Sequence, residues 1–90
     1  MLTKSQVLDK IPLLKGTQFD YCVNKRIIKF EEFPKGEYTG RNFYEEDILF
    51  LELVASYTNN DGMVLRKAVR KALTEIKKRE EEHKKNKAQD

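Results

Sequence analysis

Between Gly36 and Ala68 the chain reads GEYTGRNFYEEDILFLELVASYTNNDGMVLRKA, and within that stretch the spacing of its apolar residues changes character. Upstream of Tyr44, aromatic and β-branched residues stand among Gly, Thr and Pro, the composition of short strands and tight turns. From Glu45 the spacing becomes helical. Acidic Glu45, Glu46 and Asp47 occupy a first turn, where negative charge suits a helix N-terminus, and Ile48, Leu49, Leu51, Val54 and Ala55 follow. Asn59-Asn60-Asp61-Gly62 is a turn signal, after which Leu65, Ala68, Val69, Ala72, Leu73 and Ile76 share one helical face, with Arg66, Lys67, Arg70 and Lys71 on another. A β-hairpin followed by a helical hairpin is the order this imposes.

The residues before Gly36 complete the plan. Thr3 with Gln6 three places on is a capping-box pair, and it predicts a short helix from about Lys4 to Lys10 with Val7, Leu8 and Ile11 on its apolar side. Pro12 discourages its continuation. Lys15-Gly16-Thr17 opens a second helix, expected over about Gln18 to Lys25, with Asp20 at its third position as a capping residue. IIKFEEF from Ile27 and EYTGRNFY to Tyr44 are the expected strands, joined by a Pro34-Lys35-Gly36 turn. Two short helices and a tight turn, then a two-stranded wing and a helical hairpin, make a mostly α fold with a small β-hairpin of winged helix-turn-helix type.

At 90 residues the chain holds one domain. We place it at residues 1–76, because the apolar stripe stops at Ile76. The segment 77–90, KKREEEHKKNKAQD, has only Ala88 as an apolar residue and is expected to be a fraying helix and then disordered. It carries no heptad seam. Cys22 stands alone, which excludes an intrachain disulfide and, with a single His, a Cys/His zinc cluster. A reducing, cytoplasmic location is expected, and no run approaches the roughly 20 apolar residues of a membrane helix.

Charge distribution is more informative than the net +3. Residues 1–44 hold 8 Lys/Arg against 5 Asp/Glu, residues 45–62 hold none against 5, and residues 63–90 hold 10 against 5. The acidic middle helix should therefore face away from an anionic partner, although such clusters are also ordinary solvated faces.

These elements together resemble the DNA-binding domain of the mercury-resistance-regulator (MerR) family and its excisionase-like relatives, from about Thr3 to Ala72. QFDYCVNKRII, Gln18 to Ile28, follows the register of the family's Thr-Leu-Arg-Tyr-Tyr-Glu and Gly-Leu-Ile segment, with Phe19, Tyr21, Ile27 and Ile28 in matching places and Asp20 where the family has Arg. The wing's Arg-x-Tyr falls on Arg41-Asn42-Phe43, its Ser/Thr cap on Tyr44, its Glu-Glu-Asp on Glu45 to Asp47, and its Gly-Phe-Ser-Leu on Gly62 to Leu65. The resemblance implies a small transcription regulator or an excisionase-like architectural factor of a bacterium, plasmid or phage, associated with the nucleoid. The family's small-molecule effector domain is not in this chain, and no cofactor or metal is expected.

Double-stranded DNA is the partner this implies, with a second copy or another protein as further candidates and no membrane. The second helix offers Lys15, Thr17, Gln18, Tyr21, Lys25 and Arg26 to the major groove and its phosphates, with Gln18 suited to an adenine edge. The wing offers Lys35, Tyr38, Thr39 and Arg41 to phosphates or the minor groove. Arg66 and Lys67 are weaker candidates, since such a row is more often a plain polar helix face. Tyr21 suits core packing as well as contact, and Arg41 suits a local tie to Glu37 or to an acid of the third helix. An enzyme is not expected, since His83 has no orienting partner and Cys22 reads as a small core residue. The rival reading is a protein-interaction module without DNA binding, with Phe30, Phe33 and Tyr38 as its contact patch.

Overall fold

A computed structural model describes the backbone of residues 1–36 and 38–88 and the side chains of residues 1–36 and 40–82. The elements run α1 (Lys4–Lys10), α2 (Gly16–Asn24), β1 (Phe30–Lys35), β2 (Tyr38–Phe43), a 3₁₀ turn (Glu45–Asp47), α3 (Ile48–Asn59) and α4 (Leu65–Ala88). The molecule is thus mostly helical with one antiparallel two-stranded hairpin. Among the described residues no helix is long and apolar enough to cross a membrane.

Thr3 caps α1 in both directions: its Oγ1 accepts from the Gln6 N–H at 3.2 Å, and Gln6 Oε1 accepts from the Thr3 N–H at 2.9 Å. Two orphan groups of the first turn are satisfied this way. α2 begins at Gly16, two residues ahead of the expected start, because Gln18 Oε1 accepts from the Lys15 N–H at 3.0 Å and so fixes Lys15 as the cap. Asp20 is consequently the fifth helical residue and caps nothing. At the other end the Arg26 N–H donates to Val23 and the Ile27 N–H to Cys22, a Schellman closure with Arg26 at φ +55°.

The hairpin is shifted from its expected bounds. Ile27 and Ile28 precede β1, because Ile27 is consumed in closing α2 and Ile28 turns inward to 2% exposure. Pro34 lies in the strand opposite Thr39, and Lys35 pairs with Tyr38, so the turn opens at Gly36, φ +60°. A positive φ at the first turn position suits the twist of a two-residue hairpin loop and suits glycine. Pro34 is tolerated because β1 is the outer strand. The other edge of β2 is occupied by Leu2, which exchanges two backbone hydrogen bonds with Phe43 at 2.8 and 2.7 Å. That bridge, unforeseen from the sequence, ties the start of α1 to the hairpin.

Val7, Phe19, Cys22, Leu51 and Val54 are the largest fully buried side chains, contributed by α1, α2 and α3. Phe19 meets Phe43 edge-on, with centroids 4.8 Å apart at 76°. Such aromatic pairs add about 0.5–1.5 kcal/mol to the area they bury. α4 lies along α3 through Ala68, Val69 and Ala72, all buried, with Leu65 and Ile76 packed at the margin. Beyond Ile76 the described side chains of α4 are exposed.

Candidate nucleic-acid interface

Phe19, Cys22 and Val23 anchor α2 in the core, which turns Thr17, Asp20 and Asn24 outward along one stripe. Tyr21 is half-buried and packed against the core. Asp20, the only charge on that stripe, is paired: Lys4 Nζ of α1 lies 2.8 Å from its Oδ1. Lys15 and Lys25 are exposed at the two ends of the helix.

Gln18 is placed differently from its sequence reading. Its Nε2 donates to Thr58 Oγ1 at 3.2 Å and to Asn59 Oδ1 at 3.1 Å, while its Oε1 accepts from Asn59 Nδ2 at 3.1 Å as well as from Lys15. Asn59 also donates to the Leu13 carbonyl. This amide pair clamps the end of α3 to the start of α2, so the functional groups of Gln18 are spent inside the molecule.

Where α2 ends, a groove of about 580 Å³ opens between its last turn and the hairpin. Asn24, Arg26, Lys29 and Arg41 line it, with Glu32 as the acid among them. The Arg41 guanidinium lies 4.7 Å from the Phe30 ring centroid, a stacked cation–π contact that limits its rotamers. Tyr44, also on this groove, donates from its hydroxyl to Glu31 Oε1 at 2.8 Å, and that bond raises the phenol's pKa. A second groove, about 590 Å³, lies between α1, α2 and the hairpin, floored by Phe19, Phe33 and Phe43 and bordered by Lys4, Lys35 and Arg41.

The cations nominated from the sequence are thus spread over the α2 termini and the hairpin. Among the described residues, none of Lys15, Lys25, Arg26, Lys35 and Arg41 is in an ion pair. Arg66 and Lys67 are exposed on the first turn of α4. The side chains of Tyr38 and Thr39, with Glu37 and His83, lie outside the described residues. Asn24 and Lys29, which are not among the sequence candidates, also line the groove, and the sequence carries a signal for each: Asn24 follows Thr17 by two helical turns, and Lys29 interrupts an apolar run. Burial pushes the Cys22 thiol up to about 11, which makes it a poor nucleophile. Among the described residues no three His, Cys, Asp or Glu side chains are grouped as a metal site requires. No family model matches the chain, and no curated protein or solved structure does either.

Proposed function

We propose that the chain is a sequence-preferring double-stranded DNA-binding protein, a small transcription regulator or an excisionase-like architectural factor that works as a winged helix-turn-helix. The observation that carries this reading is the groove at the end of α2, which Arg26 and Lys29 from one side and Arg41 from the hairpin line together, three cations with the one carboxylate of Glu32. On this reading α2 enters the major groove and the hairpin serves as the wing, laid on flanking phosphates and the minor groove. Asp20 is compatible with it, since Lys4 offsets its charge. With Gln18 occupied, the exposed Asn24 is the side chain of α2 suited to an adenine edge.

The interaction-module reading has less support. Phe30 is stacked under Arg41 and against Phe43, which leaves Phe33, one face on Gly40 and the other on the groove between α1, α2 and the hairpin, as the accessible ring of that patch among the described side chains.

Titration of a labelled mixed-sequence duplex over a series of salt concentrations tests the proposal. With Lys15, Lys25, Arg26, Lys35 and Arg41 on phosphates, log affinity should fall against log salt with a slope of about −3 to −5, from about 0.9 per neutralised phosphate. Absence of binding, or binding indifferent to salt, overturns it.

A further inference from the structure

Arg26 is the one non-glycine residue with positive φ among the described residues. It occupies the closing position of a Schellman motif, where glycine and asparagine are favoured because a larger side chain crowds its own backbone in the left-handed region. Local packing does not ask for arginine there. The residue is exposed, and among the described residues no ion pair or hydrogen bond holds its guanidinium. Strain retained without a structural return is commonly found where a side chain serves a ligand.

The surroundings indicate which ligand. The groove that Arg26 lines also takes Asn24, Lys29 and Arg41, three cations and an amide with the carboxylate of Glu32 among them, while Glu31 is held on Tyr44 at the rim and Lys29 also borders Asp47 and Glu46 on its far side. Arg41 is braced by Phe30. A guanidinium presents a planar fork of donors that matches two oxygens of a phosphate, and two such forks flank this groove. We propose that the groove seats one backbone phosphodiester of a DNA duplex, and that Arg26 holds its unfavourable conformation for that contact. The inference rests on the duplex-binding reading and adds the phosphate seat and its residues, including Lys29.

Two variants test it, Arg26→Gly and Lys29→Ala, each measured for thermal melting and for binding to a short mixed-sequence duplex across salt concentrations. Arg26→Gly should melt at or above the wild-type temperature, since glycine relieves the strain. It should nonetheless bind the duplex about tenfold more weakly, the loss expected of one charge-assisted contact. Its salt slope should be shallower by about 1. Lys29→Ala should show the same loss and the same change of slope, with an unchanged melting temperature. Wild-type affinity and slope in both variants overturn the phosphate seat while leaving duplex binding by the chain intact. A clear drop in the melting temperature of Arg26→Gly overturns it too, because the arginine would then be structural. Failure of the wild-type protein to bind the duplex removes both readings.

Discussion

Phe33 lies across Gly40, its partner on the opposite strand, so closely that a Cβ placed on Gly40 would collide with the ring's Cζ and both Cε atoms. The glycine is what lets the ring fold over the hairpin and floor the groove between α1, α2 and β2. Its φ is not in the left-handed region, so the constraint is steric and not torsional.

Gly40→Ala should therefore destabilise the protein by about 1–3 kcal/mol, as overpacking does. Thermal melting of the single variant and of the Phe33→Leu/Gly40→Ala pair is the check. The added methyl should cost much less when the ring is gone. Equal costs in both backgrounds would show that Phe33 does not constrain Gly40.

Gln18→Ala should act on stability and not on DNA recognition. Its amide joins Lys15, Thr58 and Asn59, and its loss leaves part-buried groups of the pair unpaired, at about 1–3 kcal/mol. Melting temperature and duplex affinity measured on one preparation separate the effects. A normal melting temperature with lost discrimination at an adenine would restore Gln18 as a base reader.

That reversal shows what the sequence could convey. Thr3 with Gln6 and the apolar spacing of Val54, Ala55, Val69 and Ala72 depend on neighbours within a turn or two, and those elements stand in the structure as written. Gln18 bonds Asn59 across 41 positions, and Lys4 reaches Asp20 across 16. No local pattern announces such pairs. Ile27 and Ile28 look like strand because β-branched residues favour strands, yet the closure of α2 claims the first and the core claims the second. Pro34 looks like a turn residue, but an outer strand accommodates its missing N–H as readily.

Asp20→Asn removes the acid from the exposed stripe of α2 and frees Lys4. The pair is about half exposed on both sides, so stability should change by no more than about 1 kcal/mol. Duplex affinity should rise a few-fold, most clearly at low salt where screening is weakest. Weaker binding would mean that Asp20 positions a contact of its own.

Cys22 is fully buried, and its thiol titrates near 11 against an ordinary 9.0. The folded state thus keeps the proton after the unfolded state has lost it. Stability is unaffected by this group below pH 9 and falls as pH rises from about 9 towards 11. Melting curves of wild type and Cys22→Ala over that range should diverge, with the alanine variant losing stability less steeply. A thiol reagent at pH 8 should label the native protein slowly and the denatured protein completely.

Arg41 unites the two halves of the proposed interface, since it borders both grooves and is stacked on Phe30. Arg41→Ala should weaken duplex binding by about 1–3 kcal/mol. Its fold should lose only about 0.5–1 kcal/mol, the value of an exposed cation–π contact. Arg41→Lys keeps the charge but not the planar stack or the fork of donors, so it should retain the salt slope while recovering part of the affinity. Normal binding combined with a large fall in melting temperature would make Arg41 a structural tie, and the hairpin would then have lost its best-placed contact with DNA. Among the described residues no ion pair holds Arg41, neither to Glu45 nor to Glu46, and we therefore expect the loss to appear in binding.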